Sequence, residues 1–176
     1  MRFRITNIIP AIIAALMVSA CATTGQHHKE SVIGPYTTFS GRLIVIEPAR
    51  RWQAVLNWDG TPEKGELRLT HAASNRIVKL SWHHDSIRIL DNQSPVHEWR
   101  GISGEELVSN GIILPPQQLA LILSGNMPKR LIQKKPGTWE GKLNEAFLRI
   151  KWSAEKQRLE LMDITHGRKA ILIIQP

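Results

Sequence analysis

The sequence predicts a mainly-β domain: one long antiparallel sheet of about ten or eleven strands, interrupted mid-chain by two short helices. Three observations predict it. From Thr38 onward, apolar and polar residues alternate with period two, so one face of each strand is dry and the other wet. The polar stretches between strands are of hairpin length. The alternation breaks once, over Ser103–Gly125, where helix start and stop signals replace it.

The chain opens with Arg2 and Arg4, followed by an apolar run from Ile8 to Val18 that is short for a membrane span. Val18-Ser19-Ala20-Cys21 follows directly, and Cys21 is the only cysteine in 176 residues. Small residues before a lone cysteine make a bacterial lipobox: residues 1–20 are the signal peptide and Cys21 is the lipidation site. With that thiol acylated, a disulfide framework, a thiolate-bound zinc and a cysteine nucleophile are excluded. Ala22 is not the Asp that retains lipoproteins at the inner membrane in enterobacterial-type sorting, which points to the outer membrane. Residues 21–37, polar and without periodicity, read as a flexible tether, and 38–176 as a single domain with one core.

The elements follow in order. Thr38 to Leu43 opens the sheet. Arg51 to Trp58 places Trp52, Ala54, Leu56 and Trp58 on one face. Leu67 and Leu69, then Val78, Leu80 and Trp82, then Ile87 and Ile89 continue that face, giving a meander of roughly five strands. Ser103-Gly104-Glu105-Glu106 is a capping box for a short helix that stops at Gly111. Pro115-Pro116 starts a second helix, with Leu119, Ile122 and Leu123 as its apolar stripe and Gly125 as its stop. Leu121 falls off the stripe, so this helix needs cover on most sides. Five more strands follow, near 130–133, 139–143, 146–152, 158–164 and 169–174, with Ala146, Leu148, Ile150 and Trp152 facing one way. A sheet this long must curl, and the helices can only cover its concave side.

Formal charge is +8, with 23 basic against 15 acidic residues. Arg2 and Arg4 leave with the signal peptide. The remaining cations are scattered one per strand, as on the solvated face of a sheet, and a lipid anchor argues against a nucleic-acid partner. No Gly-x-Ser-x-Gly elbow, phosphate loop, His-Glu-x-x-His or dinucleotide fingerprint occurs. His27-His28 and His83-His84-Asp85 lack the spacing of a metal site, and Glu106 is accounted for by the cap. The sequence therefore predicts no catalytic residues, metal or cofactor, and no enzyme activity. Its unusual feature is six tryptophans against one tyrosine and three phenylalanines. Trp52, Trp58, Trp82 and Trp152 fall on the inward face, where they either fill a core or line an apolar cavity.

Three segments make the chain resemble the LolB family of outer-membrane lipoprotein receptors. Phe39-Ser40-Gly41-Arg42-Leu43 with Arg51-Trp52-Gln53-Ala54-Val55-Leu56-Asn57-Trp58 is similar to the family's opening strands. Leu67-Arg68-Leu69-Thr70 leading into Ile77-Val78-Lys79-Leu80 is similar to its next hairpin. Ile112-Ile113-Leu114-Pro115-Pro116-Gln117-Gln118-Leu119, with Leu123-Ser124-Gly125-Asn126-Met127-Pro128, is similar to its Pro-started helix and Gly-Pro exit.

The resemblance implies an unclosed antiparallel β-barrel with an α-helical lid. It implies an apolar cavity that takes acylated lipoproteins from a LolA-like periplasmic carrier and passes them to the outer membrane. The protein would be a lipid-anchored monomer facing the periplasm. The expected acyl-chain cavity comprises Trp52, Leu56, Trp58, Leu69, Leu80, Trp82, Leu148, Ile150 and Trp152, under a lid of Leu119, Ile122 and Leu123. In the family, the loop after the third strand presents a leucine to the membrane; here that loop is His71-Ala72-Ala73-Ser74-Asn75, and the leucine's place falls at Ala73. Ala72 and Ala73 are thus a weakened candidate membrane loop. The alternative is a lipid-anchored envelope scaffold or assembly accessory of the same fold, with a filled core and no cargo.

Overall fold

The computed structural model describes residues 32–175. The expected signal peptide 1–20, the expected lipidation site Cys21 and the expected tether up to residue 31 lie outside the described residues. Eleven strands form a single antiparallel sheet in the order β6-β5-β4-β3-β2-β1-β11-β10-β9-β8-β7. The strands are β1 (Thr38–Ile46), β2 (Arg51–Gly60), β3 (Lys64–His71), β4 (Arg76–His83), β5 (Ser86–Asp91), β6 (Glu98–Ile102), β7 (Ile132–Lys135), β8 (Thr138–Leu143), β9 (Ala146–Ser153), β10 (Arg158–Asp163) and β11 (Arg168–Gln175). Two meanders are joined at one seam, where β1 pairs with β11 from Ser40↔Gln175 to Ile46↔Lys169. The edges, β6 and β7, do not pair with each other, so the barrel is unclosed.

Register sets the inner face. Phe39, Gly41 and Leu43 lie opposite Trp58, Leu56 and Ala54. Leu56 meets Leu69, and Leu69 meets Val78. On the other side, Leu172, Leu159 and Trp152 are in line across β11, β10 and β9. Phe39, Leu43, Leu56, Trp58, Leu69, Trp152, Leu159 and Leu172 form one core with buried residues of both helices. The outer face carries ion pairs between neighbouring strands, such as Lys79–Glu66 and Lys169–Glu160.

The helices, α1 (Gly104–Ser109) and α2 (Pro116–Leu123), are inserted between β6 and β7. Ser103 caps α1 by accepting a hydrogen bond from the Glu106 N–H at 3.1 Å. Glu106 is exposed, and the reciprocal half of the expected capping box is not among the hydrogen bonds of the described residues. Gly111 follows α1 at φ +100°. In α2, Pro116 sits in the first turn, where no N–H is needed. Ile122 and Leu123 are fully buried and Leu119 is half-buried. Gln117 donates to the His84 carbonyl at 2.8 Å on one flank. Gln118 and Asn144 exchange amide hydrogen bonds on the other, at 2.8 and 3.2 Å. α2 is therefore a crossbar fastened to both halves of the sheet.

The structure corrects the sequence reading in two places. Six strands precede the helices, because Glu98–Ile102 pairs with β5 through a bulged register. The packed domain also begins before Thr38. Ile33 is buried, and the Tyr36 N–H donates to the Leu123 carbonyl at 2.8 Å, so these residues of the expected tether brace the end of α2.

Candidate functional site

Alternate hairpins of a meander lie at opposite ends of its sheet. The β1–β2, β3–β4, β5–β6, β8–β9 and β10–β11 connections share one end, and the entry to β1 lies at the other. The two ends of the concave face differ in packing.

At the entry end the concavity is full. Trp58 and Trp82 meet at 5.0 Å between ring centroids, Phe39 stacks on Trp58 at 6.1 Å, and Tyr36 bridges Phe39 and Trp152 at 6.1 and 5.8 Å. The Trp82 ring lies over Gly60 and Gly65, where an added Cβ would come within 2.4 Å of it. Its indole N–H donates to the Thr61 carbonyl at 2.9 Å. The indole nitrogens of Trp58 and Trp152 are buried with no protein partner.

At the opposite end the concave face opens into a recess of about 540 Å³. Its apolar walls are Trp52, Ala54, Leu69 and Val78; Arg50, His71, Ser74 and Arg76 form its rim. That volume is within the range of small-molecule sites. The β3–β4 turn closes one side and is firmly held. The His71 ring nitrogen lies 2.9 Å from the Ser74 hydroxyl, and the side-chain amides of Asn92 and Gln93 donate to the carbonyls of Asn75 and Ser74. Ala72 and Ala73 are exposed at the tip.

Two carboxylates are buried on the inner face at this mouth. Asp91 is clamped by Arg76 at 2.5 Å, and that hydrogen bond, opposed by burial, holds the carboxyl below the ordinary range. Burial pushes Asp163 up, but Arg168 at 2.6 Å and His166 at 2.8 Å outweigh it, so Asp163 is also held low. In each cluster the acid is inside and a base is outside. Asp91 is 4% exposed and Arg76 53%; Asp163 is 1% exposed and His166 53%.

Of the nine residues expected to line an acyl cavity, Trp52 and Leu69 line this recess. Leu56, Trp58, Trp82, Leu148, Ile150 and Trp152 are buried in the filled core, and Leu80 is half-buried against it. Large rings packed beneath a lid occupy the space that the inward pattern alone had left open. Sequence reasoning missed the polar rim. Arg76 and Asp91 share inward parity with Val78 and Ile89, and two opposite charges on a dry face are a readable signal for a buried pair. Trp139 is also inward, opposite Ile150. Among the described residues, no three His, Cys, Asp or Glu side chains converge to hold a metal ion.

Among solved structures, a LolA superfamily protein from Nitrosomonas europaea is similar at a TM-score of 0.47 and 10% identity, over 84% of this chain and 88% of that one. No curated protein matches significantly. The family model described as outer membrane lipoprotein LolB matches residues 37–158, from the entry of β1 to the first residue of β10 and so through both helices. A match over more than half of the chain, on a sheet and lid of this construction, places the protein in the LolB family of outer membrane lipoproteins.

Proposed function

We propose that the protein is anchored to the outer membrane through acylated Cys21, accepts the acyl chains of lipoproteins from a LolA-like periplasmic carrier, and releases them to that membrane. The observation that carries this reading is the recess walled by Trp52, Ala54, Leu69 and Val78. Acyl chains cannot cross water uncovered. An apolar wall offers them about 25 cal/mol per Å² of surface removed from water. Transfer needs no energy source if each successive site binds the chains more favourably. No step in this scheme makes or breaks a bond.

Leu69→Asp tests the reading, because it puts an unpaired charge on the wall of the recess. Uptake of a fluorescent acyl probe should fall at least about tenfold, with the melting transition retained. Val55→Asp, on the outer face of β2, should leave uptake unchanged. Equal uptake by the Leu69→Asp and wild-type proteins would reject the recess as the acyl site. The packed entry end, with Trp58 and Trp82 fully occupied by neighbours, supports the second reading: an anchored scaffold without cargo. Absence of probe uptake by the wild-type protein would establish that reading instead.

A further inference from the structure

Resting on the reading above, we infer that the mouth end of the sheet, centred on the β10–β11 hairpin rather than on Ala73, is the surface that lies against an anionic lipid leaflet. Seven large apolar side chains are exposed among the described residues, and four of them lie in segments at this end: Val96, Ile112, Phe147 and Ile164. Phe147 and Ile164 are neighbours, since the Ile164 N–H donates to the Phe147 carbonyl at 2.9 Å. Gly167 of the same hairpin lies against Pro48 of the β1–β2 turn. Gly111, next to Ile112, approaches the Arg168 guanidinium. Phe147, Ile164 and Ile112 therefore gather around the β10–β11 hairpin, outside the residues that line the recess.

Charge is sorted on the neighbouring rim of the recess. Arg50 is 70% exposed over a Glu47 that is 22% exposed, and the Arg76–Asp91 pair is arranged the same way. On the β1–β2 and β3–β4 side of this end, lipid phosphates meet guanidinium groups first, while the exposed Glu145 of the β8–β9 turn is paired with Lys142. Apolar tips at acyl depth with arginines at headgroup depth is the arrangement that holds a protein at an interface. The chain before the described residues permits it. β1 begins at the far end and runs about 30 Å toward the mouth. The eleven residue-to-residue steps from Cys21 to Val32 reach at most about 38 Å. An anchor at Cys21 can thus share a leaflet with the mouth.

The test labels the anchored full chain, reconstituted in vesicles of phosphatidylethanolamine and phosphatidylglycerol, with an environment-sensitive fluorophore at Ile164→Cys, Ala73→Cys or Val55→Cys. The wild-type chain, labelled in parallel, gives any background from Cys21. The label at 164 should shift to the blue and resist aqueous iodide more than the label at 73, while that at 55 stays fully quenchable. Arg50→Gln should reduce the ratio of lipid-buried to aqueous label by about fivefold, the worth of one cation at a charged surface. A label at 164 as quenchable as that at 55, or protected only after the soluble carrier is added, would overturn the inference. Acyl-probe uptake is read on the same samples. Uptake with an aqueous label at 164 rejects the membrane surface alone; a buried label without uptake rejects the cargo reading alone.

Discussion

Single side chains at the mouth tie stability to pH. Asp91 and Asp163 are both held below the usual carboxylate range, Asp91 by Arg76, and Asp163 by Arg168 and His166 against the upward push of burial. A depressed folded-state value stabilises the protein above the unfolded value of about 3.9 and loses that contribution as pH falls through the folded one. Acid unfolding should therefore set in below about pH 4. Arg168→Met leaves Asp163 buried without its main partner, which should cost about 3 kcal/mol near neutrality. The cost should shrink in acid, where Asp163 is protonated, and chemical denaturation at a series of pH values will read the convergence. Tryptophan gives a second comparison. Trp82→Phe loses a hydrogen bond to Thr61, whereas Trp58→Phe removes a buried donor that has no protein acceptor. Trp82→Phe should be the more destabilising by about 1 kcal/mol, measured by urea melts. The inward position of both rings was legible from alternation. Which of them would find an acceptor was not, because Thr61 lies on the neighbouring turn and only the fold sets its carbonyl against the ring.

At the scale of the element, glycine on the inner face decides how closely rings pack. Gly60 and Gly65 are paired across β2 and β3, and the Trp82 ring rests on both. Gly65→Ala would drive a methyl within 2.4 Å of that ring and 2.5 Å of the Gly60 Cα, one flexible contact and one rigid. A loss of about 2 kcal/mol is expected from such overpacking, with near-ultraviolet dichroism changed through Trp82. The strands and both helices could be read from period and caps, since those signals are local. β6 could not. Its five residues have inward Trp99 and Ile102 set out of simple alternation by a bulge, and its pairing depends on β5 rather than on its own pattern. The candidate membrane loop shows the same limit. His71–Asn75 reads as an ordinary turn, and only the tertiary structure brings Asn92 and Gln93 onto its carbonyls.

For the whole molecule, the lid is a brace. Because α2 is bonded to the β4–β5 turn on one flank and to the β8–β9 turn on the other, it holds the two halves of the sheet at a set separation. Cargo would then enter at the mouth rather than by swinging the helix aside, and Gln118→Leu should leave the rate of probe uptake at the recess unchanged within about twofold. A faster rate in that variant would make the helix a gate. The seam has a different consequence, in time rather than space. Ser40 finds its partner in Gln175, so the central strand of the sheet waits for β11, the last strand of the sheet to be made. A nascent or half-exported chain holds β1 with one side bare, a pairing edge in the middle of the sheet. The C-terminal strand is thus the event that ends the hazard of wrong partners. Chains truncated after Asp163 should aggregate from the start instead of forming a smaller sheet.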